Sequence, residues 1–370
     1  MKTGIYIHWP ICKYKCEYCD FASYDKLNID NKDLIIAYLK EIEFYGKQCQ
    51  DIQISTIFFG GGTPTLMTHE EISSILNCIK SCFALTKDCE ITTEANPDDI
   101  NYEKISSLKE NGINRVSLGV QSFLKHELDI LSRKHNPEDI IEAVSLIKNN
   151  FTNYSIDIIY AIPNQSLQDI ERNIEYIEKI RPPHISMYTL MIKPNTPFFN
   201  KYYKKIPSEL EEECFEFVRE KMKNMNYKQY EISSFAIEDK FECKHNKIYW
   251  QYDDYIPIGP SSHGKFKQHR IINHTTPKAW MECVMKNNHG QFYNRIISSK
   301  DAIMEILLMG LRLKQGIDLT GIENELGIDL TKELNLNKSN IANLIEIKNN
   351  HLKPTSKGFG FIDYICRELC

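Results

Sequence analysis

Six short β-rich runs alternate with longer helical stretches through the first two thirds of the chain. No other feature of the sequence restricts the fold as much. The runs 4–9, 56–59, 90–94, 115–120, 155–162 and 184–190 are rich in Ile, Val, Phe, Tyr or Thr. Between them apolar residues recur every three or four positions. Leu34, Tyr38, Ile42 and Tyr45 form one such series, and Ile72, Ile75, Leu76 and Ile79 a second. Ile140, Ala143, Val144 and Ile147 follow, then Ile170, Ile174, Ile177 and Ile180 before Pro182-Pro183 stops the last helix. Strand–helix units in series imply a parallel sheet, because parallel neighbours need a crossover between them. Six units fall short of the eight that close a full barrel. The expectation is therefore an α/β fold: an open, partial (β/α)6 TIM-like barrel over residues 1–236.

A chain of 370 residues leaves room for a smaller second unit. A charged helix is expected from 207 to about 225 and one more strand over 230–236. Residues 237–298 mix aromatics, His, Pro and Gly and read as a connecting segment without assignable elements. Beyond 299 apolar periodicity returns. Helices are expected over 317–326 and 336–347, then a hairpin carrying Leu352 and Phe361 with its turn near Lys357-Gly358. That pattern suggests a small α+β winged-helix-like domain over 299–370. The 45 basic and 50 acidic residues leave a net charge of −5. A nucleic-acid partner is not expected from that balance, so the C-terminal unit reads as a lid or protein contact. No run of eighteen apolar residues and no signal-peptide pattern is present, so a cytoplasmic chain without a transmembrane segment is expected.

The first strand runs directly into Cys12-x3-Cys16-x2-Cys19. In a reduced compartment, three cysteines packed so closely read as metal ligands, whereas the other nine of the 12 are scattered and read as ordinary thiols. Three thiolates suit a four-iron four-sulfur (4Fe–4S) cluster with one iron left open. S-adenosylmethionine can chelate that iron through its amino and carboxylate groups, and electron transfer then cleaves its C–S bond to an adenosyl radical. A structural zinc site is the alternative, with His8 as fourth donor. Lys13, Tyr14, Lys15 and Tyr18 make the loop basic and aromatic, which suits an anionic cluster. Gly60-Gly61-Gly62-Thr63 closes the second strand, where bare backbone can approach a ligand. Glu94, Gln121 and Asp157 lie at other strand ends, the face on which barrel enzymes place their sites, and Arg133 follows twelve residues after Gln121. Singly each reads equally well as a helix anchor; together they suggest a ligand cage.

These residues resemble a known family. The matches run through Tyr6-Ile7-His8-Trp9-Pro10-Ile11-Cys12, Cys16-Glu17-Tyr18-Cys19-Asp20-Phe21, Gly60-Gly61-Gly62-Thr63-Pro64-Thr65, Glu94-Ala95-Asn96-Pro97, Gly119-Val120-Gln121-Ser122-Phe123, Leu131-Ser132-Arg133, Asp157-Ile158-Ile159-Tyr160 and Tyr188-Thr189-Leu190. Over nearly its whole length the chain resembles the oxygen-independent coproporphyrinogen oxidase family of radical-SAM proteins, and within it the heme-chaperone branch. Trp9 and Ile11 depart from the family's usual aliphatic residue and Phe, but both stay apolar. The resemblance implies that Tyr6, Glu94 and the backbone of Gly61, Gly62 and Thr63 contact S-adenosylmethionine. It implies that Tyr18, Gln121, Arg133 and Asp157 match positions that touch a second molecule of it in the oxidases.

Two features favour the chaperone branch. Phe21 stands where true oxidases carry a further cysteine, and His245-Asn246-Lys247-Ile248-Tyr249-Trp250 matches that branch's HNxxYW motif. A neutral imidazole can ligate heme iron, and Tyr249 and Trp250 can stack on a porphyrin. The plainer alternative makes His245 a surface residue and the aromatics core. The resemblance thus implies a chaperone that carries heme as cargo to an acceptor hemoprotein, a respiratory one foremost. Oxidative decarboxylation of coproporphyrinogen III is the alternative activity, and RNA modification a weaker one that would need a basic face. The turn Ile258-Gly259-Pro260-Ser261-Ser262-His263 lies near the expected barrel mouth, where it can close over a ligand.

Overall fold

The structure, a computed structural model, describes residues 2–369 apart from 26, 28, 204–207 and 337. Strands β1 (Thr3–Trp9), β2 (Gln53–Gly61), β3 (Ala84–Ala95), β4 (Arg115–Gln121), β5 (Tyr154–Tyr160) and β6 (His184–Thr189) lie side by side in chain order, all parallel. Helices cross between them, as the apolar spacing predicts. Asn31–Gly46, His69–Cys82, Pro137–Asn150 and Leu167–Ile180 bury the residues read as stripes. Capping boxes at Thr68, Asn136 and Ser166 satisfy the first N–H groups of the last three. Leu167–Ile180 ends at Arg181, a left-handed residue directly before the two prolines.

Strand alternation gives the sheet two different faces. Ile5, Ile7 and Trp9 of β1 and Ile57 and Phe59 of β2 pack into the helix-covered core. The opposite face carries polar and aromatic groups in register: Tyr6 pairs Phe58, Glu94 pairs Ser117, Gly119 pairs Asp157 and Asp157 pairs Ser186. The site residues read from strand ends therefore share the concave face.

The sheet does not stop at six strands. β7 (Lys228–Gln229) and β8 (Ser234–Ala236) add an antiparallel hairpin at β6, so of the strand expected over 230–236 only the last three residues form one, and its partner lies just before it. Glu231, between them, instead bridges to Leu313. Residues 237–298, expected as a connecting segment, carry two α-helices, Lys244–Trp250 and Pro277–Asn287, and four further strands. β9 (Asp254–Ile258) pairs parallel with β1, with Ile5 opposite Ile256 and Ile7 opposite Ile258. β10 (His263–Phe266), β11 (His269–Asn273) and β12 (Gln291–Ile296) continue antiparallel. The result is one open twelve-stranded sheet. Short strands interrupted by turns lack the long periodicity that makes an element legible in sequence.

Glu41 clasps this addition to the core. From the helix Asn31–Gly46 it accepts the N–H of Gly259 at 2.8 Å and of Gly290 at 2.7 Å, Trp280 Nε1 at 3.0 Å and Asn273 Nδ2 at 2.9 Å. Burial pushes its carboxyl up to about 7 against the pull of these donors. Glu41→Gln puts an amide NH2 among donors and strands at least one of them, at about 2–3 kcal/mol. The expected result is a midpoint lowered by roughly 3–4 °C in a thermal melt followed by circular dichroism. An unchanged midpoint would show that the clasp carries no stability.

The C-terminal residues form their own apolar cluster, centred on Ile306, Leu307, Leu311, Leu352 and Ile365. The helix expected over 317–326 forms as Leu319–Leu326, preceded by the strand Ile317–Asp318. The helix expected over 336–347 does not form among the described residues; Ile345–Lys348 is a strand there. It pairs with His351–Pro354 through a turn at Asn349 and Asn350, both left-handed. Leu352 lies on this hairpin as expected. Phe361 does not: the chain ends in the helix Ile362–Leu369. Asn349-Asn350 is the turn signal that Lys357-Gly358 outcompeted on paper. The expected helix start at 207 lies outside the described residues; the helix is described from Ser208 to Asn224.

Candidate functional site

β1 ends at Trp9 and delivers the cysteine loop to the C-terminal rim of the parallel strands. The loop is closed by Cys12 N–H donating to Tyr24 O at 2.9 Å, Tyr24 N–H to Pro10 O at 2.8 Å and Cys19 N–H to Cys16 O at 3.1 Å. Lys15 Nζ reaches back to the carbonyls of Phe21 and Ser23, each at 3.0 Å. His8, weighed as a zinc ligand, has both ring nitrogens engaged: Nδ1 with Tyr6 OH at 3.1 Å and Nε2 with Ala22 O at 2.9 Å. It is a strut for the loop rather than a free donor.

The glycine run is what lets β2 seat this loop. Gly62 N–H donates to Trp9 O at 2.6 Å and Thr63 N–H to Ile11 O at 2.8 Å, while Gly61 N–H donates to Glu94 Oε2 at 3.1 Å. A Cβ on Gly62 would lie 2.5 Å from Ile11 O, and one on Gly61, at φ +105°, 2.6 Å from the His8 ring. These N–H groups serve the protein's own backbone and Glu94, so the run's first requirement is close approach of two chain segments.

Cys12 is nearly buried, and Cys16 and Cys19 are partly exposed. Burial pushes the Cys19 thiol up to about 11, with the neighbouring Cys16 and Cys12 sulfurs adding to the rise. Burial also raises Cys12, opposed by hydrogen bonds from Ser23 and Thr63. Thiols in such a setting need positive partners to ionise. Arg133 is one: its Nη1 donates to Cys16 Sγ at 3.4 Å, and its Nη2 to Asn96 Oδ1 at 2.5 Å and Gly119 O at 3.0 Å. Asn96 Nδ2 continues to Thr63 Oγ1 at 3.1 Å. Asn96 thus couples the glycine run to the cysteine loop, a role its place in Glu-Ala-Asn-Pro did not reveal.

Two thiolates on one zinc ion sit about 3.8 Å apart. The three cysteine sulfurs do not form a set of donors lying within 4.8 Å of one another; among the described residues only His126, Glu127 and Asp169 do. A cysteine loop of wider spread, with Arg133 at one sulfur, fits a cubane better than a single ion.

Glu94 faces the same space from β3. Burial pushes its carboxyl up to about 8, and Asp157 adds to the rise. Asp157 accepts Ser117 Oγ at 2.9 Å and Ser155 Oγ at 3.1 Å, and burial raises it too. Tyr18 lies beside Arg133, and burial raises its hydroxyl. Gln121 sits at a bulge in β4 with φ +67°, its amide folded back over Gly119. The structure therefore gathers Tyr6, Tyr18, Glu94, Gln121, Arg133 and Asp157 around the cysteine loop.

A cavity of about 490 Å³ opens beside them. Phe21 and Ala22 of the cysteine loop, Tyr6, Glu94, Tyr249 and Trp250 all line it. The motif helix Lys244–Trp250 packs over Gly4 and Thr56, so Tyr249 reaches the cavity from below. His245 does not reach it. The residue is fully buried, with Nδ1 2.7 Å from Thr56 Oγ1, Nε2 2.7 Å from Tyr249 OH, and its ring stacked on Phe58 at 5.0 Å. Burial, then Arg115, depresses its imidazole to about 3. It is neither a surface residue nor, in this position, an exposed ligand.

Comparison with known proteins agrees with this arrangement. Residues 6–177 match the Radical SAM superfamily model, and residues 297–361 match the HemN C-terminal domain model. A heme chaperone HemW from Buchnera aphidicola subsp. Schizaphis graminum is 42% identical over 269 residues, covering 72% of this chain and 70% of that protein. The chain belongs to the HemW family of radical SAM proteins. HemW proteins from Escherichia coli and Lactococcus lactis are 33% and 30% identical, over 75% and 96% of this chain and 75% and 94% of their own lengths. The solved structure of coproporphyrinogen III oxidase (HemN) from Escherichia coli superposes with a TM-score of 0.83, covering 99% of this chain and 89% of that one, at 20% identity. That likeness establishes the shared fold. Among the described residues no helix is long and apolar enough to cross a membrane.

Proposed function

We propose that this HemW-family chain is a heme chaperone: it holds a 4Fe–4S cluster on Cys12, Cys16 and Cys19, binds S-adenosylmethionine beside it, and passes heme to an acceptor hemoprotein, a respiratory one foremost. The observation that carries this reading is the single cavity bordered at one end by Phe21 of the cysteine loop and at the other by Tyr249 and Trp250. A cluster with three protein ligands supplies one open iron for the amino and carboxylate groups of S-adenosylmethionine, and one-electron chemistry at its sulfonium.

The chain's own residues divide the remaining work. Arg133 compensates thiolate charge at Cys16, and Asn96 holds Arg133 in place. Glu94, anchored by Gly61 N–H, keeps Oε1 for a donor such as a ligand ammonium; Tyr6 closes the floor. Asp157, on β5 and bonded to Ser117, adds to the rise of the Glu94 carboxyl, and Gln121 stands at the end of β4 beside Gly119. Tyr249 and Trp250 provide flat aromatic surface for a porphyrin.

Two measurements test the reading. Purified full-length chain, reconstituted without oxygen and loaded with hemin, is expected to transfer heme to an apo-hemoprotein, followed as a shift of the Soret band. Trp250→Ala is expected to weaken hemin binding ten- to a hundredfold, about 1.4–3 kcal/mol. Absence of hemin binding by the wild-type chain would overturn the proposal. So would conversion of coproporphyrinogen III to protoporphyrinogen IX without any heme transfer.

A further inference from the structure

The motif histidine is poorly placed to meet iron. His245 Nδ1 is held by Thr56 and Nε2 by Tyr249, and the ring lies beneath Tyr249 and against Phe58. An iron atom could reach Nε2 only if Tyr249, itself a cavity wall, moved away. His245 reads instead as the residue that aims Tyr249.

Two histidines do line the cavity. His8 has both ring nitrogens engaged, as described above. His263 has neither: it is exposed at the start of β10, and no hydrogen bond to its ring is found among the described residues. Partial desolvation at the cavity edge, then the nearby Arg270 guanidinium, lower its proton affinity.

Its backbone is unusually well fixed for a loop. Ser262 Oγ donates to Gly259 O at 2.7 Å, Asn273 Nδ2 reaches Ser262 Oγ at 3.1 Å, and Gly259 N–H is held by Glu41. A ligand held on a pre-set support loses little freedom on binding. Trp250, across the same cavity, carries a buried indole N–H without a partner among the described residues.

We propose that His263, not His245, is the axial ligand to the iron of heme held in this cavity. The inference rests on the heme-chaperone reading. The bond is dative: an imidazole nitrogen lone pair enters the ferric iron and displaces its water or chloride, and nothing is oxidised or reduced. His245 acts one step back, as a positioning residue through Tyr249.

The test is hemin titration of the full-length chain and of His263→Gly, His263→Ala and His245→Ala, read by the Soret band, by EPR of the ferric heme and by a thermal melt. His263→Ala is expected to keep the wild-type melt, weaken hemin at least tenfold and lose the wild-type EPR signature. Free imidazole added to His263→Gly should restore that signature. His245→Ala should lower the melt and keep the signature of an imidazole-ligated iron. If wild type binds hemin while His263→Ala matches it in affinity and spectrum, this inference fails and the chaperone reading stands. Loss of the signature only in His245→Ala, with a retained melt, overturns it in favour of the motif histidine. If wild type itself binds no hemin, both readings fall.

Discussion

Reconstituted with iron and sulfide, the Cys19→Ala chain is expected to hold less than a tenth of the wild-type iron and to lose the reduced-cluster EPR signal. Cys12, Cys16 and Cys19 lie on one eight-residue loop whose ends are tied by Tyr24 and by the Gly62–Trp9 contact. Removing one thiolate leaves two, too few to hold a cubane against solvent iron-binding competitors. Cys89 and Cys243 cannot compensate. Cys89 is buried near the start of the β3 pairing with β2, and Cys243 lies buried beside Glu90 and Tyr230, both away from the loop. Cys89→Ala and Cys243→Ala should therefore keep the full iron and sulfide count. Equal iron in the Cys19→Ala and wild-type chains, or stoichiometric zinc in the wild type, would remove the cluster from the account.

The second large effect falls on a residue with no functional group. Gly62→Ala is expected to lower the thermal midpoint by about 5 °C and to cut cluster incorporation by more than half. The added Cβ would stand 2.5 Å from Ile11 O, 2.8 Å from Ile11 C and 3.0 Å from Trp9 O, all backbone atoms that cannot swing aside. Relief requires β2 and the cysteine loop to part, which breaks the Gly62 N–H bond to Trp9 O and the Thr63 N–H bond to Ile11 O. Overpacking costs about 1–3 kcal/mol and each lost hydrogen bond about 1 kcal/mol. The sum, about 3–5 kcal/mol, converts to the stated shift at about 1.3 °C per kcal/mol, the scale for a chain of 370 residues. A variant that melts like wild type and takes up a full cluster would show that the two segments tolerate separation. Loss of cluster with an unchanged melt would mean the glycine serves the ligand directly.

Much of the site was legible because its parts are local. Three cysteines within eight residues must share a loop whatever the rest of the chain does. Glu94 and Gln121 sit at the ends of strands whose type the composition reveals, and strand ends in a parallel sheet share one rim; Asp157, expected there too, lies in the middle of β5. Asn96 escaped notice because its importance lies in Arg133, thirty-seven positions away. The strands after 250 escaped for a different reason. β9 earns its place by covering β1, and a five-residue strand is stabilised by its neighbours, not by its own periodicity.

Covalent spacing and apolar rhythm are properties of the chain itself, so the sequence alone determined the parallel sheet, the cysteine loop and the glycine run that must pack close to something. Burial is not such a property. Whether a histidine offers its lone pair depends on groups brought against it from elsewhere. For His245, Thr56, nearly 190 positions earlier, takes Nδ1 and Phe58 stacks on the ring, while Tyr249 on the same helix takes Nε2. For His263 no hydrogen-bond partner arrives among the described residues, and the ring lines the cavity. Only the tertiary structure decided which imidazole is spent on the core and which is left for a guest.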